Sequence, residues 1–329
     1  MRTEHNGILV TGGAGFIGSS LISHLMARWP NRRITVLDLM RYRLGERNVA
    51  EQVGDSDHVT LRIGSVTDSK LVEELVAEAD VIVHLAVETD DEARFLDVQL
   101  TGTKTLLDAA HRLGVRRFIF QSTSDLYGIN TSDDLTEDAP IRATTLYAAT
   151  KLGAEGLVTA YYYSFGLPIV ILRPVSIYGP RQYPAWLIPR FIALALADKP
   201  LTIMGDGLAS RDWIHVDDVC RALLSVIEHP GVEGEVFNLG TGREHTVRQV
   251  AEDILQTFGK PRSQICYVAA RPGDLPRQVS RAAKARRVLG WAPTVSFEQG
   301  LERTIDWYSR HSDWLAEQAI VDLGATEGS

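Results

Sequence analysis

The segment Thr11-Gly12-Gly13-Ala14-Gly15-Phe16-Ile17-Gly18 decides the fold, because it joins a short apolar strand to a helical pattern. Its glycines at positions 12, 15 and 18 let the backbone turn sharply and approach a pyrophosphate, while the next helix directs its first N–H groups at the phosphates. The second predicted strand ends at Asp38, where a carboxylate binds both ribose hydroxyls of NAD and repels the 2′-phosphate of NADP. Arg41 and Arg43 lie nearby and partly oppose that preference. The segment therefore predicts a NAD site at the first turn of a parallel sheet.

Outward from this segment, the first half of the chain alternates short β-branched apolar runs with helical patterns. This alternation is typical of βαβ units, and strands that are apolar almost throughout are expected where helices cover both faces of a sheet. We therefore predict an α/β fold, with a Rossmann-type doubly wound parallel sheet and a smaller, mixed α/β C-terminal lobe. The predicted strands are 7–11, 34–37, 59–63, 81–85, 118–122 and 168–172, and the predicted helices are 17–28, 69–77, 99–113 and 147–164. The predicted domains are 1–175, which binds the cofactor and also receives about 211–229, and 176–329, which binds the substrate.

The composition limits the classes of function. The chain has 329 residues, of which 45% are apolar and 23% charged, and its formal net charge is −8. This acidity argues against nucleic acid or an anionic membrane as the partner, because both need clustered positive charge. Two cysteines cannot make a disulfide scaffold, no cluster of ligands has zinc-like spacing, and the apolar stretches are too short to span a bilayer. We therefore predict a cytoplasmic protein that binds no metal.

A second group of residues carries the predicted chemistry. Tyr147 and Lys151 are four apart, so on a helix they share one face. An ammonium beside a phenol favours the phenolate, and lowering its pKa from ~10 by about three units gives a base near neutral pH. The run Ser122-Thr123-Ser124-Asp125-Leu126-Tyr127-Gly128 follows an apolar strand. Its hydroxyls stand at the carboxyl end of that strand, where open α/β sheets place their chemistry.

Taken together, these motifs resemble the extended short-chain dehydrogenase/reductase family, and more narrowly its nucleotide-sugar epimerase/dehydratase branch. The likeness runs nearly end to end. It rests on the segments already quoted and on His84-Leu85-Ala86, Arg173-Pro174, Tyr178-Gly179-Pro180-Arg181, Arg211-Asp212-Trp213-Ile214-His215-Val216-Asp217-Asp218, Arg271-Pro272-Gly273-Asp274, Leu289-Gly290-Trp291 and a helix ending in Trp307.

The resemblance implies roles for individual residues. Thr123 would hydrogen-bond the reacting hydroxyl, Tyr147 would be the base, and Lys151 would hold the nicotinamide ribose, with Ser124 and Asp125 beside them. The positions implied to line the NAD site are Gly12, Gly15, Phe16, Ile17, Gly18, Asp38, Leu39, Ser65, Val66, Leu85, Ala86, Val87, Gln99, Ser122, Tyr147, Lys151, Pro174 and Val175. Those implied to bind the nucleotide sugar are Thr123, Ser176, Arg181, Leu187, Arg211, Trp213, Arg271 and Asp274. The helices 99–113 and 147–164 would pair with their copies in a homodimer.

Some positions depart from the branch. Ser65 stands where an acidic residue is usual, Gln99 and Ser176 each replace an Asn, and Val87-Glu88 replaces small residues. Separately, Trp186, Trp213, Trp291 and Trp307 are predicted core anchors, and His84 and His215 are predicted to be structural.

The reaction depends on the triplet Thr123-Ser124-Asp125. Glucose-type 4,6-dehydratases of the branch carry Thr-Asp-Glu there, and other dehydratases and uronate decarboxylases carry Thr-Ser-Glu. Because Asp125 is about one methylene short of that Glu, we expect a nucleotide-sugar 4-epimerase acting through a transient 4-keto sugar. Its substrate would be a UDP-sugar, with UDP-glucuronate a candidate because of Ser176 and Arg181. The alternatives are a 4,6-dehydratase or uronate decarboxylase that uses Asp125, and then a reductase of a nucleotide 4-keto sugar.

Overall fold

The computed structural model describes residues 7–41, 45–53, 56–129, 135–270 and 276–315. In chain order its strands are β1 Gly7–Thr11, β2 Arg33–Asp38, β3 Val59–Ile63, β4 Val81–His84, β5 Arg117–Gln121, β6 Ile169–Pro174, β7 Ser176–Tyr178, β8 Leu201–Met204, β9 Ser210–His215, β10 Val236–Leu239, β11 Glu244–Thr246, β12 Ile265–Val268 and β13 Arg277–Gln278. Its α-helices are α1 Phe16–Arg28, α2 Gly45–Val53, α3 Ser69–Ala77, α4 Thr103–Leu113, α5 Leu146–Phe165, α6 Leu187–Leu196, α7 Val216–Glu228, α8 Val247–Thr257, α9 Ala283–Leu289 and α10 Phe297–Arg310.

The main sheet has seven parallel strands in the order β3-β2-β1-β4-β5-β6-β10. Alternate residues of its central strands face two separate hydrophobic cores. In β1, for example, Ile8 and Val10 pack in one core with α1 and α7, whereas Leu9 packs in the other with α3, α4 and α5. Apolar side chains on both faces explain why these strands read as continuous apolar runs. The predicted doubly wound sheet is confirmed.

A third hydrophobic core belongs to the smaller lobe, where α6, α8 and α10 pack together. Its strands form small sheets, in which β9 pairs with β7, β11 and β13, and β8 pairs with β12. The sequence predicts that 211–229 returns to the first lobe, but β9 belongs to this small sheet. The helix α7 does pack on α1, and the chain then adds β10 to the edge of the main sheet beside β6. The exact domain division stays a prediction.

Two local predictions need correction. The segment predicted as one α-helix over 99–113 begins as a π-helix, Leu96–Gly102, which continues directly into α4. Trp186 is not a core anchor, because it precedes α6 at the surface and is 47% exposed. Trp213 and Trp291 are buried, and Trp307 packs partly buried against the third core. Among the described residues, no helix is both long and apolar enough to cross a membrane.

Candidate active site

The carboxyl ends of the parallel strands meet at one edge of the main sheet, and the residues predicted to bind NAD lie along it. The glycine loop after β1 is shaped for close backbone approach. Gly12 has a φ of +68°, and a Cβ there would lie 2.7 Å from the Ala86 nitrogen. A Cβ at Gly18 would lie 2.4 Å from the Gly12 carbonyl oxygen. No side chain caps the first turn of α1, so its N–H groups remain available to an anion.

Asp38 stands at the end of β2 and is fixed against the glycine loop. Its Oδ2 accepts from the Ala14 N–H at 3.0 Å, and its Oδ1 accepts from the Met40 N–H at 2.9 Å. Burial raises the pKa of this carboxyl group, although the backbone N–H groups favour its charged form and oppose that rise. Each oxygen keeps acceptor capacity beyond these bonds, so the carboxylate fits the ribose hydroxyls of a dinucleotide.

The other residues implied at the NAD site follow β3, β4 and β6. Val66, Pro174 and Val175 are buried, Leu85 and Ala86 are partly exposed, and Leu39 and Val87 are exposed. The Ser65 hydroxyl hydrogen-bonds the Thr67 hydroxyl at 2.8 Å. Phe16 and Ile17 pack partly buried against the first core at the start of α1. Most of these side chains are apolar, and they surround the backbone of the glycine loop at this edge of the sheet.

His84 links neighbouring elements at the carboxyl edge of the main sheet by hydrogen bonds. Its Nδ1 contacts the Thr11 hydroxyl at 2.7 Å and its Nε2 contacts the Thr103 hydroxyl at 3.0 Å. Burial, together with the charge of Lys151, lowers the pKa of His84 to about 3, which makes this residue neutral at physiological pH. The neutral imidazole therefore joins β1, β4 and α4 and is structural, as expected.

The Gln99 side chain holds the loop that follows β4. Its Oε1 accepts from the Glu88 N–H at 3.2 Å, and its Nε2 donates to the Glu88 carbonyl oxygen at 3.0 Å. Both ends of the amide are therefore used to hold the loop that follows β4. That Gln99 lines the NAD site stays a prediction.

The run predicted to carry the chemistry, residues 122–128, follows β5. Thr123 is buried and accepts from the Asp125 N–H at 3.1 Å, which starts a 3₁₀ turn over Ser124–Tyr127. The Ser122 and Ser124 hydroxyl oxygens are buried and, among the described residues, have no hydrogen-bond partner. Buried polar atoms without partners are rare, and at a strand end they indicate groups that a ligand completes. The side chains available here therefore fit a nicotinamide cofactor and a polyhydroxylated substrate.

Tyr147 and Lys151 lie on α5, but their electrostatics differ from the prediction. The Lys151 Nζ donates to the Gln121 carbonyl oxygen at 2.6 Å and lies 4.3 Å from the centre of the Phe120 ring. Burial lowers the pKa of Lys151 to about 7. The pKa of Tyr147 is raised, first by burial and then by the charge of Asp125. The expected lowering of the Tyr147 pKa is therefore wrong for the protein alone, because desolvation disfavours the phenolate.

Asp125 has a partner that its sequence neighbourhood does not indicate. Gln278 of β13 is buried, and its Nε2 donates to the Asp125 Oδ1 at 3.1 Å. The two residues are 153 positions apart, so no local pattern links them. This bond fixes the Asp125 carboxylate, whose charge acts on the Tyr147 phenol.

A buried network of hydrogen bonds and one ion pair connects α5 to the main sheet. The Arg173 guanidinium pairs with the Glu155 carboxylate, both nearly inaccessible, and donates to the Tyr127 hydroxyl at 2.8 Å. The Tyr127 hydroxyl in turn donates to the Asn238 Oδ1 at 2.7 Å. Glu155 is one helical turn after Lys151, so this network joins the catalytic helix to β6 and β10.

The residues implied to bind the nucleotide sugar are less uniformly placed. Ser176 begins β7, Leu187 begins α6, and Arg211 lies on β9 beside Trp213. The Trp213 ring packs in the third core and also lines a cleft with Arg243 and His245. Its indole N–H is buried and has no partner among the described residues.

Arg181 needs correction, because its guanidinium is directed to α1. It donates to the Ser20 hydroxyl at 3.0 Å and to the Ser19 hydroxyl at 3.3 Å. These bonds assign Arg181 to the junction between the lobes instead of the substrate. Arg271 and Asp274 lie outside the described residues.

Comparisons with known proteins complete this description. Residues 8–240 match the model of the "NAD dependent epimerase/dehydratase family". A dTDP-glucose 4,6-dehydratase from Actinoplanes sp. is 36% identical over 93% of this chain and 99% of its own. The crystal structure of DesIV, a dTDP-glucose 4,6-dehydratase from Streptomyces venezuelae with NAD bound, is 35% identical with a TM-score of 0.89, over 94% of this chain and 98% of its own. A UDP-glucuronic acid 4-epimerase from Bacillus cereus, in complex with UDP-glucuronic acid and NAD, is 30% identical with a TM-score of 0.85, over 92% and 99%.

Proposed function

The chain belongs to the NAD-dependent epimerase/dehydratase family and is a NAD-dependent enzyme acting on nucleotide sugars, and within that family we propose that it is a nucleotide-sugar 4,6-dehydratase. The observation that carries this proposal is the Asp125 carboxylate, which is held by Gln278 and acts electrostatically on Tyr147. A 4,6-dehydratase needs a base for the C5 proton and an acid for the leaving 6-hydroxyl, whereas a 4-epimerase needs neither. The dehydratases among the similar proteins support the same choice.

The first step is oxidation at C4. Thr123 holds the 4-hydroxyl of the sugar by a hydrogen bond, and Tyr147 accepts its proton. NAD would be held by the glycine loop and Asp38, and its positive nicotinamide ring would supply the acceptor for the C4 hydride and the donor of that hydride in the last step. The raised pKa of Tyr147 in the protein alone implies that the phenol keeps its proton until a positive charge enters the site.

The second step is elimination of water. The 4-keto group acidifies the C5–H bond, and the Asp125 carboxylate removes that proton. The same carboxyl group then gives the proton to the departing 6-hydroxyl, so that the C6–O bond breaks as a C5–C6 double bond forms. The double bond is then reduced: C6 takes the hydride that left C4, and C5 takes a proton in place of the one that Tyr147 accepted from the 4-hydroxyl. One carboxyl group serves both roles because Ser124 stands where the glucose-type dehydratases carry a second acid.

A 4-epimerase remains the second candidate, and Ser124 is the observation that favours it. A hydroxyl cannot protonate a leaving group as a carboxylic acid does. UDP-glucuronate is its candidate substrate, as in the similar epimerase. In this case the 4-keto sugar turns over in the site and Asp125 has no chemical role.

The experiment is incubation of the purified protein with dTDP-glucose, UDP-glucose and UDP-glucuronate, without added cofactor, followed by mass spectrometry and NMR. We expect one molecule of water to be lost from a glucose nucleotide. Asp125→Asn should lower that turnover by about 10²-fold or more, whereas the exposed Asp138→Asn should leave it unchanged. An unchanged mass with inverted C4 would establish the epimerase instead. Loss of carbon dioxide would indicate a decarboxylase, and turnover only with added reduced cofactor would indicate a reductase.

A further inference from the structure

The loops after β2 and β4 are joined by an ion pair that no part of the reaction uses. Arg41, three residues after Asp38, pairs through its guanidinium with the carboxylate of Glu88. Glu88 follows the Leu85-Ala86-Val87 segment of the cofactor edge and is only 4% exposed. Asp91 adds a second, longer contact to the same guanidinium at 3.9 Å.

The Glu88 carboxylate is built into its loop. Its Oε1 accepts from the N–H groups of Thr89 at 3.1 Å, Asp90 at 3.0 Å and Asp91 at 3.3 Å. The Gln99 amide, described above, clamps the backbone of Glu88 on both sides. The remaining oxygen, Oε2, faces Arg41. This set of bonds leaves the carboxylate no freedom to turn away from the guanidinium.

Arg41 lies in the segment whose side chains determine whether a dinucleotide-binding fold prefers NAD or NADP. A carboxylate at the end of the second strand binds the free ribose hydroxyls of NAD, whereas an arginine nearby accommodates the 2′-phosphate of NADP. This chain has both, Asp38 and Arg41, within four residues. A guanidinium whose Nη1 donates to a buried carboxylate is held towards that carboxylate, and moving it to a phosphate is opposed, because breaking the pair would leave a buried charge uncompensated.

We propose that Glu88 is a cofactor-selectivity residue. By pairing with Arg41, it keeps the guanidinium from binding the 2′-phosphate of NADP, so that Asp38 alone determines the preference for NAD. The proposal concerns only the adenosine end of the cofactor and does not depend on which reaction the enzyme catalyses.

The test measures which nucleotide the protein retains. The full-length protein and its variants are incubated with equimolar NAD and NADP and separated from free nucleotide. They are then denatured, and the released nucleotides are quantified by chromatography. In Glu88→Gln the amide oxygen still accepts the three loop N–H groups, but the charge that holds Arg41 is gone. We expect the NADP:NAD ratio to rise by about tenfold or more over wild type, and the double variant Glu88→Gln/Arg41→Ala to return to the wild-type ratio.

Three further variants keep the proposal open to contradiction. Glu92→Gln removes an exposed carboxylate of the same loop and should leave the ratio unchanged. Leu39→Arg adds a guanidinium at an exposed position beside Asp38 without disturbing Glu88, and should also raise the ratio. Arg41→Ala alone should not lower NADP retention. The proposal is overturned if Glu88→Gln or Leu39→Arg leaves the ratio unchanged, if the double variant stays high, or if Arg41→Ala lowers the ratio.

Discussion

At the scale of single residues, the ammonium of Lys151 is a buried charge that lowers the stability of the folded protein by an amount that depends on pH. Its pKa is about 7 in the folded protein and near 10.5 in an unfolded chain. Below about pH 7 the folded state bears the full cost of burying this charge. Between pH 7 and 10.5 the unfolded chain binds more protons than the folded one, so the contribution of Lys151 to stability improves as pH rises.

We therefore predict that Lys151→Met raises the melting temperature most below about pH 7, by a few degrees, and that its advantage over wild type shrinks towards about pH 9. Thermal unfolding followed by circular dichroism over this range measures the difference. Lys199→Met, at an exposed position, should show no such trend. An advantage of Lys151→Met that stays constant with pH would contradict the lowered pKa.

A second prediction concerns the phenol. Tyr147→Phe removes the group that accepts the substrate proton, and we expect kcat to fall by about 10²- to 10⁴-fold with little change in KM. Steady-state kinetics on the substrate identified above measure both constants. Tyr267→Phe, a half-exposed position on β12, is the matched control and should keep full activity. A Tyr147→Phe variant within twofold of wild type would exclude this residue as the base.

Sequence spacing was sufficient for some site residues and insufficient for others. The glycine loop, Asp38, Tyr147 and Lys151 could be found because local geometry fixes their relations within one turn, strand or helix. Gln278 and Glu88 could not, since their importance depends on contacts with Asp125 and Arg41 that only the folded chain creates. Likewise, a spacing of four residues predicted the shared face of Tyr147 and Lys151, but desolvation, which reverses the expected pKa of Tyr147, has no signature in spacing.

At the scale of elements, the role of the turn between β1 and α1 in NAD binding can be tested by comparing alanine substitutions at two glycines, one in the turn and one outside it. A Cβ at Gly18 would lie 2.4 Å from both the Gly12 carbonyl oxygen and the Gly13 Cα, which are backbone atoms that cannot move aside cheaply. We predict that Gly18→Ala lowers NAD affinity by at least tenfold, because the loop must shift away from the helix terminus.

Isothermal titration with NAD measures this loss. Gly156→Ala is the control, since a Cβ there meets nothing within 4 Å on the exposed face of α5. It should leave NAD affinity unchanged, because it adds a methyl group to α5 without contact to the glycine loop. Equal NAD affinity in wild type and Gly18→Ala would show that the loop tolerates displacement.

Apolar runs predicted the six strands of the first half. In β1, β4 and β6 burial on both faces leaves a continuous signal, whereas the edge strand β3 is only partly buried. The π-helix Leu96–Gly102 escaped prediction, since its one extra residue per turn is stabilised by tertiary contacts of Gln99 and Thr103 and not by a change in composition. The small sheet around β9 also escaped, because its strands are short and pair across long stretches of chain.

At the scale of the whole molecule, the predicted homodimer is testable on α5. Tyr163 is 80% exposed, and Phe165, which is 54% exposed at the same end of α5, stacks on His111 of α4. Large apolar side chains grouped on a surface are typical of an interaction site. We predict that the 36.4 kDa chain sediments as a dimer and that Tyr163→Asp shifts it towards the monomer. Analytical ultracentrifugation measures this shift, with Leu208→Asp, exposed on another lobe, as the control. A dimer of undiminished stability in Tyr163→Asp would exclude this face.

The position of β10 has a consequence for how the protein is made. Since β10 covers the edge of β6, the main sheet is complete only when residues 236–239 have left the ribosome, long after the last residue of β6. Until then the nascent chain exposes an unpaired strand edge, which is a template for aggregation. We therefore expect a chain that ends after residue 175 to expose the edge of β6 and to aggregate, whereas the full chain covers this edge with β10.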